Sequence, residues 1–110
     1  MTPLPAGQLE EMIEQATVDC YNDSEQAFGL FTLLEDALAM PFETTVLGAP
    51  VTVTKVDLTA DDQIVAHVRR GGGGGRQRIP LLDLPLPNPA PAGWEWIVAY
   101  RHWASRSGGA

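Results

Sequence analysis

The stretch DSEQAFGLFTLLEDALAMPFETTVLGAPVTVTKVDL, residues 23–58, changes its hydrophobic period halfway along. Up to about Met40 the apolar residues recur every three or four positions, which is typical of an amphipathic helix. Pro41 ends the helix, because the residue before a proline is disfavoured in the helical region. From there apolar and polar residues alternate, which predicts strands at 43–48 and 50–58. This one stretch therefore joins a helical part of the chain to a sheet.

A first amphipathic helix is predicted upstream, at residues 8–20, with an apolar stripe of Leu9, Met12, Ile13, Ala16 and Cys20. Asp23 or Ser24 can cap the second helix. The apolar face of that helix comprises Ala27, Phe28, Phe31, Leu34 and Leu38. The short connection between the helices predicts an antiparallel helical hairpin over residues 8–40.

Downstream, the alternating pattern predicts two more strands, at 63–70 and 76–82, joined by the glycine run 71–75. Five consecutive glycines have no conformational preference and predict a mobile loop. The proline-rich stretch 85–93 is expected to be extended, and 94–104 to be a terminal helix with an aromatic face. We expect one domain over residues 1–110. Its predicted class is α+β, with the hairpin, a small antiparallel SH3-like barrel or sheet at 43–84 and a capping C-terminal helix.

Charge is divided unevenly along the 110 residues. The first 54 residues contain nine Asp and Glu and no Lys or Arg, whereas all seven Lys and Arg follow. The formal net charge of −7 disfavours nucleic acids and anionic membranes as partners, because both are negative. No apolar run approaches the length of about 18 residues that a membrane span requires. Cys20 is the single cysteine, which excludes an internal disulfide and suits a reducing cytoplasm.

Carboxylates without basic neighbours favour a hard cation such as calcium, which takes six to eight oxygen ligands. One cluster is the elbow between the two helices, residues 19–25, DCYNDSE; another is the turn DLTADD, residues 57–62. The turn has the alternate spacing of an EF-hand loop but lacks its glycine, its distal glutamate and its flanking helices. A third acidic pair lies near the end of the second helix. The candidate metal ligands are Asp19, Asp23, Glu25, Glu35, Asp36, Asp57, Asp61 and Asp62.

Each cluster also has a purely structural interpretation. Asp23 and Ser24 are common helix-capping residues, Glu25 suits the first turn of a helix, and Asp61 and Asp62 suit a turn. Catalytic patterns are missing from the sequence: it contains no nucleophile elbow and no phosphate-binding motif. We therefore expect a protein that is not an enzyme.

Residues 14–42, EQATVDCYNDSEQAFGLFTLLEDALAMPF, resemble the small bacterial calcium-binding proteins typified by the cyanobacterial heterocyst calcium-binding protein. The matching positions are Val18-Asp19, Tyr21, Glu25-Gln26, Gly29, Leu34-Glu35-Asp36 and Pro41-Phe42, and the closing WEWIVAYRHW also fits. The resemblance implies calcium binding outside any EF-hand, on a helical hairpin and a small barrel. It assigns the acidic motif positions to Asp19, Glu25, Glu35 and Asp36 and, more loosely, the acidic turn to Asp57, Asp61 and Asp62.

The residues and the resemblance together predict a cytoplasmic protein that binds calcium ions through carboxylates and acts as a buffer or a sensor. The alternative is a protein-interaction module, in which the barrel or the aromatic terminal helix docks a partner and the acidity only gives solubility. Calcium distinguishes the two, because it stabilises a protein with a native site and leaves an interaction module unchanged.

Overall fold

The structure, a computed structural model, describes residues 4–71 and 74–107. Two helices come first, an antiparallel sheet follows, and a third helix closes the order, which confirms the predicted α+β class. The elements are α1 (Ala6–Ala16), α2 (Asp23–Ala37), β1 (Phe42–Val46), β2 (Ala49–Leu58), β3 (Ile64–Arg70), β4 (Arg76–Pro80), a 3₁₀ turn (Leu81–Asp83) and α3 (Trp94–Ser107). None of the helices in the described ranges is long and apolar enough to cross a bilayer.

The four strands form an antiparallel meander in the order β1-β2-β3-β4, so β1 and β4 lie at the edges. Closure of this sheet into an SH3-like barrel stays a prediction. The expected strict alternation in β2 is wrong at one place, because the register shifts between Val53 and Lys55. Such a bulge inserts one residue, so Val56 rather than Lys55 continues the buried face begun by Val51 and Val53. The glycine run is described in part: Gly72 and Gly73 lie outside the described residues.

Helix α1 ends four residues earlier than predicted. The backbone N–H and the side-chain hydroxyl of Thr17 both donate to the Ile13 carbonyl, at 2.9 and 2.7 Å. Asp19 then takes a left-handed conformation, with φ of 63°, which ends the helical path. Cys20 therefore lies beyond the helix and is half-buried, and its predicted place in the apolar stripe of α1 is wrong.

Helix α2 begins with a different cap and buries a different face from those predicted. Asn22, rather than Asp23 or Ser24, is the N-cap residue. The helix ends at Ala37, and its buried side chains are Ala27, Leu30, Leu34 and, just beyond the last turn, Leu38. These recur at spacings of three and four, so the stripe is helical but is rotated relative to the predicted one. Phe28, expected inside, is 60% exposed.

Helix α3 holds the described parts of the fold together. Four consecutive side chains each contact a different part of the chain: the start of β3, the 3₁₀ region, α1 and α2. The contacts are Ile64 N–H to the Tyr100 hydroxyl (3.1 Å), Arg101 to the carbonyls of Leu81 and Leu84, His102 Nε2 to Glu10 Oε2 (2.8 Å), and Trp103 Nε1 to Gln26 Oε1 (2.9 Å). Burial raises the pKa of the Tyr100 phenol, so its hydroxyl stays neutral. A shared hydrophobic core beneath these contacts includes residues of all three helices and of the sheet.

Candidate metal site

The start of α2 is closed by hydrogen bonds within the elbow. The Asn22 side chain accepts from the backbone N–H of Glu25 at 2.8 Å, and Glu25 Oε1 accepts from the N–H of Tyr21 at 2.9 Å. The pair resembles a capping box, in which two side chains satisfy backbone donors that the helix leaves free. The positive end of the helix dipole also favours the carboxylates of Asp23 and Glu25. Helix capping therefore accounts for part of the acidity of the elbow.

The turn between β2 and β3 is closed in the same way. The Thr59 carbonyl accepts from the N–H of Asp62 at 3.0 Å, and the Thr59 hydroxyl accepts from the N–H groups of Asp61 and Gln63 at 3.3 and 3.2 Å. Asp62 has a φ of 63°, a left-handed conformation that Asp and Asn tolerate better than most residues. The side chains of Asp61 and Asp62 are not needed for these backbone contacts; Asp61 is exposed and Asp62 is half-buried.

The two acidic segments meet at one point, which we call the junction. The Ser24 hydroxyl donates to Asp62 Oδ1 at 3.0 Å, although the two residues are 38 positions apart in sequence. Asp62 lies between two surface clefts. One cleft, of about 440 Å³, is lined by Cys20, Ser24, Glu25, Phe28, Gly29, Leu58 and Asp62. The other, of about 520 Å³, is lined by Asp23, Asp61, Asp62, Gln63, Leu82 and part of α3.

Four of the eight candidate ligands line the two clefts beside the junction. Asp23, Asp61 and Asp62 line one cleft, and Glu25 and Asp62 line the other. Asp19 is exposed in the turn between α1 and α2, close to the junction in sequence but not among the residues that line either cleft.

The other three candidates lie elsewhere. Asp57 Oδ1 accepts from the N–H of Leu58, and Oδ2 lies 3.5 Å from Nε2 of His67 on the neighbouring strand. Glu35 and Asp36 are exposed near the end of α2. A helix rises about 1.5 Å per residue, which places Glu35 roughly 15 Å along the axis from Glu25.

The residues at the junction suit calcium by type, although they are not closely gathered. Within residues 4–71 and 74–107, no three His, Cys, Asp or Glu side chains are grouped tightly enough to hold a metal ion. The available donors are carboxylate, hydroxyl and carbonyl oxygens. Calcium accepts this set in flexible geometry and completes its shell with water. Among the residues that line the two clefts, Cys20 is the one soft ligand and there is no histidine, so the sets that transition metals prefer are not found at the junction.

The sequence did not predict the roles of two residues that matter for this geometry. Ser24 was interpreted only as a helix cap, yet it makes the contact that joins the elbow to the turn. Gly29 lies where α2 passes the end of α1: a Cβ added there would be 2.2 Å from the carbonyl oxygen of Ala16. A glycine inside a helical pattern is the signal that could have revealed this close approach.

Comparison with known proteins gives matches at the level of structure. No protein-family model matches the chain, and no curated protein matches it. One similar solved structure is described as a calcium-binding protein in the calcium-binding form; its TM-score is 0.72, with 22% identity over 90% of each chain. Another is Anabaena CcbP, with a TM-score of 0.75 and 20% identity over 94% of each chain. The resemblance noted in the sequence is thus confirmed in three dimensions: the chain has the CcbP-like fold.

Proposed function

We propose that this protein binds calcium ions at the junction, outside any EF-hand, as a buffer or sensor and not as an enzyme. The observation that carries the proposal is the 3.0 Å contact between Ser24 and Asp62, which places two acidic segments from distant parts of the sequence side by side. The fold adds support, since two proteins described as calcium-binding or as CcbP share it. The net charge of −7 argues against nucleic acids and anionic membranes as partners.

The ligands we propose are the carboxylates of Asp23, Glu25, Asp61 and Asp62, with the Ser24 hydroxyl beside them. When bound, calcium supplies positive charge that offsets the mutual repulsion of these groups. Asp62 is central, because it borders both clefts and is connected to the elbow by its contact with Ser24.

Glu25 would have two roles, in capping α2 and in binding the ion. Its Oε1 accepts from the N–H of Tyr21, and a carboxylate has further lone pairs for a cation. Asp19 precedes these ligands in the elbow and would contribute charge. The far pair, Glu35 and Asp36, stays a predicted ligand set on the strength of the resemblance alone.

Calorimetric titration of calcium into matched variants tests the location. Asp62→Asn removes one charge, tolerates the left-handed backbone and keeps an oxygen that can accept from Ser24. We expect it to weaken calcium binding about tenfold or more, since the charge of the ligands tunes affinity. The double variant Glu35→Gln/Asp36→Asn removes two charges roughly 15 Å away and is expected to have a much smaller effect.

A second pair of changes tests the elbow. Asp19→Asn together with Glu25→Gln should also weaken binding about tenfold or more, for the same reason. If the Glu35→Gln/Asp36→Asn variant lost calcium affinity while Asp62→Asn and Asp19→Asn/Glu25→Gln kept it, the site would lie at the other end of α2. If calcium did not raise the melting temperature of the unaltered protein above its value in chelator, the proposed function itself would be wrong, because a ligand that binds only the native state must stabilise it.

A further inference from the structure

Three large apolar side chains are exposed around the elbow. Val18, Tyr21 and Phe28 are 70%, 86% and 60% exposed, and they make up most of the strongly exposed large hydrophobic residues among those described. We call them the elbow patch. Val18 lies just beyond α1, Tyr21 in the elbow and Phe28 in the second turn of α2, so one short segment carries all three. More than half of each of these side chains is exposed, although the core lies a few residues away in sequence.

The patch lies next to the carboxylates of the junction. Phe28 lines the same cleft as Glu25 and Asp62, with Cys20 and Leu58 forming the other apolar walls. Phe28 and Glu25 are three residues apart on α2, so their side chains are neighbours on the helix surface. The backbone of Tyr21 donates to Glu25 at 2.9 Å. Residues 4–54 contain no Lys or Arg, and none lines the cleft that holds Phe28, whereas Arg101 lines the adjoining cleft with Asp62.

The acidic surroundings of the elbow patch favour one class of binding partner. A second copy of this chain docked through the same face would bring another acidic surface, and nucleic acid or an anionic membrane would be repelled in the same way. A partner segment that carries apolar residues flanked by Lys or Arg matches both features, because its apolar side chains cover the patch and its cations face the carboxylates. An amphipathic basic helix is the simplest segment of this kind.

We propose that the elbow patch docks a basic, apolar segment of a protein partner, and that calcium releases it. The release rests on the proposed calcium site, whereas the docking does not. Glu25 and Asp62 border the patch and also belong to the proposed ligand set, so bound calcium neutralises the charges that attract the partner. The protein would then act as a calcium sensor rather than only as a buffer.

A synthetic amphipathic peptide of Leu and Lys, labelled with a dye, is the probe, and a Leu and Glu peptide of the same pattern is its control. Fluorescence anisotropy measures binding to the full chain in chelator. We expect the Leu–Lys peptide to bind and the Leu–Glu peptide not to bind. Tyr21→Ser with Phe28→Ser should weaken binding about tenfold or more, as for residues at the centre of an interface. Leu47→Ser is the matched control, since Leu47 is 96% exposed in the β1–β2 turn and should not contribute.

The same titration in saturating calcium tests the release, with potassium chloride at equal ionic strength as the control for screening. We expect calcium to weaken the binding of the Leu–Lys peptide about fivefold or more, within the usual range for coupled sites. Absence of binding in chelator, or equal binding by the patch variant and Leu47→Ser, would overturn the docking. Calcium that binds by calorimetry but leaves peptide affinity unchanged would overturn the release. If calorimetry detects no calcium binding, the proposed function is wrong. The peptide titrations in chelator still test the docking in that case, because they do not depend on calcium.

Discussion

Replacing Gly29 with alanine is expected to destabilise the protein, although the same change stabilises most helices. An alanine in an exposed helix interior is favoured over glycine by about 1 kcal/mol. At Gly29 the new Cβ would lie 2.2 Å from the carbonyl oxygen of Ala16 and 3.3 Å from its carbonyl carbon. Both are backbone atoms, so α1 and α2 must move apart. Overpacking of this kind costs about 1–3 kcal/mol, and a contact this short favours the upper part of that range.

The free energy of unfolding of Gly29→Ala should therefore fall by about 1–2 kcal/mol after the helix preference is counted. In a domain of this size that lowers Tm by about 4 °C or more. Urea and thermal unfolding of the chain measure both quantities. Gly7→Ala is the matched control: Gly7 also lies in a helix, but an added Cβ there meets nothing within 4 Å. Gly7→Ala should be neutral or slightly stabilising, and a Gly29→Ala variant that matched it would show that the close approach to Ala16 is not a constraint.

Three further predictions concern the ion, the buried phenol and the glycine run. Magnesium should compete poorly with calcium in calorimetric displacement, because it demands octahedral geometry at short distances and sheds water reluctantly; equal competition would indicate a diffuse acidic patch. Tyr100→Phe should lower the free energy of unfolding in urea by about 1–3 kcal/mol, because it removes the partner of the buried Ile64 N–H; an unchanged midpoint would contradict that role. Replacing residues 71–75 with Asn-Gly should change stability by only about 1 kcal/mol and leave calcium affinity intact, since closure entropy varies slowly with loop length; loss of affinity in a folded variant would place the site near that loop.

The hydrophobic period predicted which helices and strands the fold contains, but it predicted the ends of these elements less accurately. The change of period after Pro41 predicted a helix before it and strands after it, and the structure has both. The end of α1 was misplaced because it depends on a left-handed Asp19 and on a hydroxyl of Thr17 that bonds back to Ile13, neither of which interrupts the apolar pattern. The bulge at Val53 was missed for a similar reason, since one inserted residue is invisible in a sequence that still alternates.

The candidate site was predictable in its composition but not in its assembly. The sequence showed which segments are rich in carboxylates. It could not show that Ser24 reaches Asp62 across 38 positions, because that contact depends on how α2 lies against the β2–β3 turn. Nor could it separate Glu25 from Glu35, which have equal chemistry and opposite positions on α2. Tertiary packing, rather than residue type, decides which carboxylates meet.

The contacts of α3 have a consequence for how the molecule unfolds. Its hydrogen bonds to β3, the 3₁₀ region, α1 and α2 span sequence separations of 36, 20, 92 and 77 residues. When α3 detaches, all four of these parts lose a partner at once, so we expect the helical half and β3 to open together. Backbone amides in α1, α2 and β3 should thus exchange with solvent deuterium through one common opening. An ion held at the junction would slow that opening everywhere, including at amides far from the carboxylates that bind it.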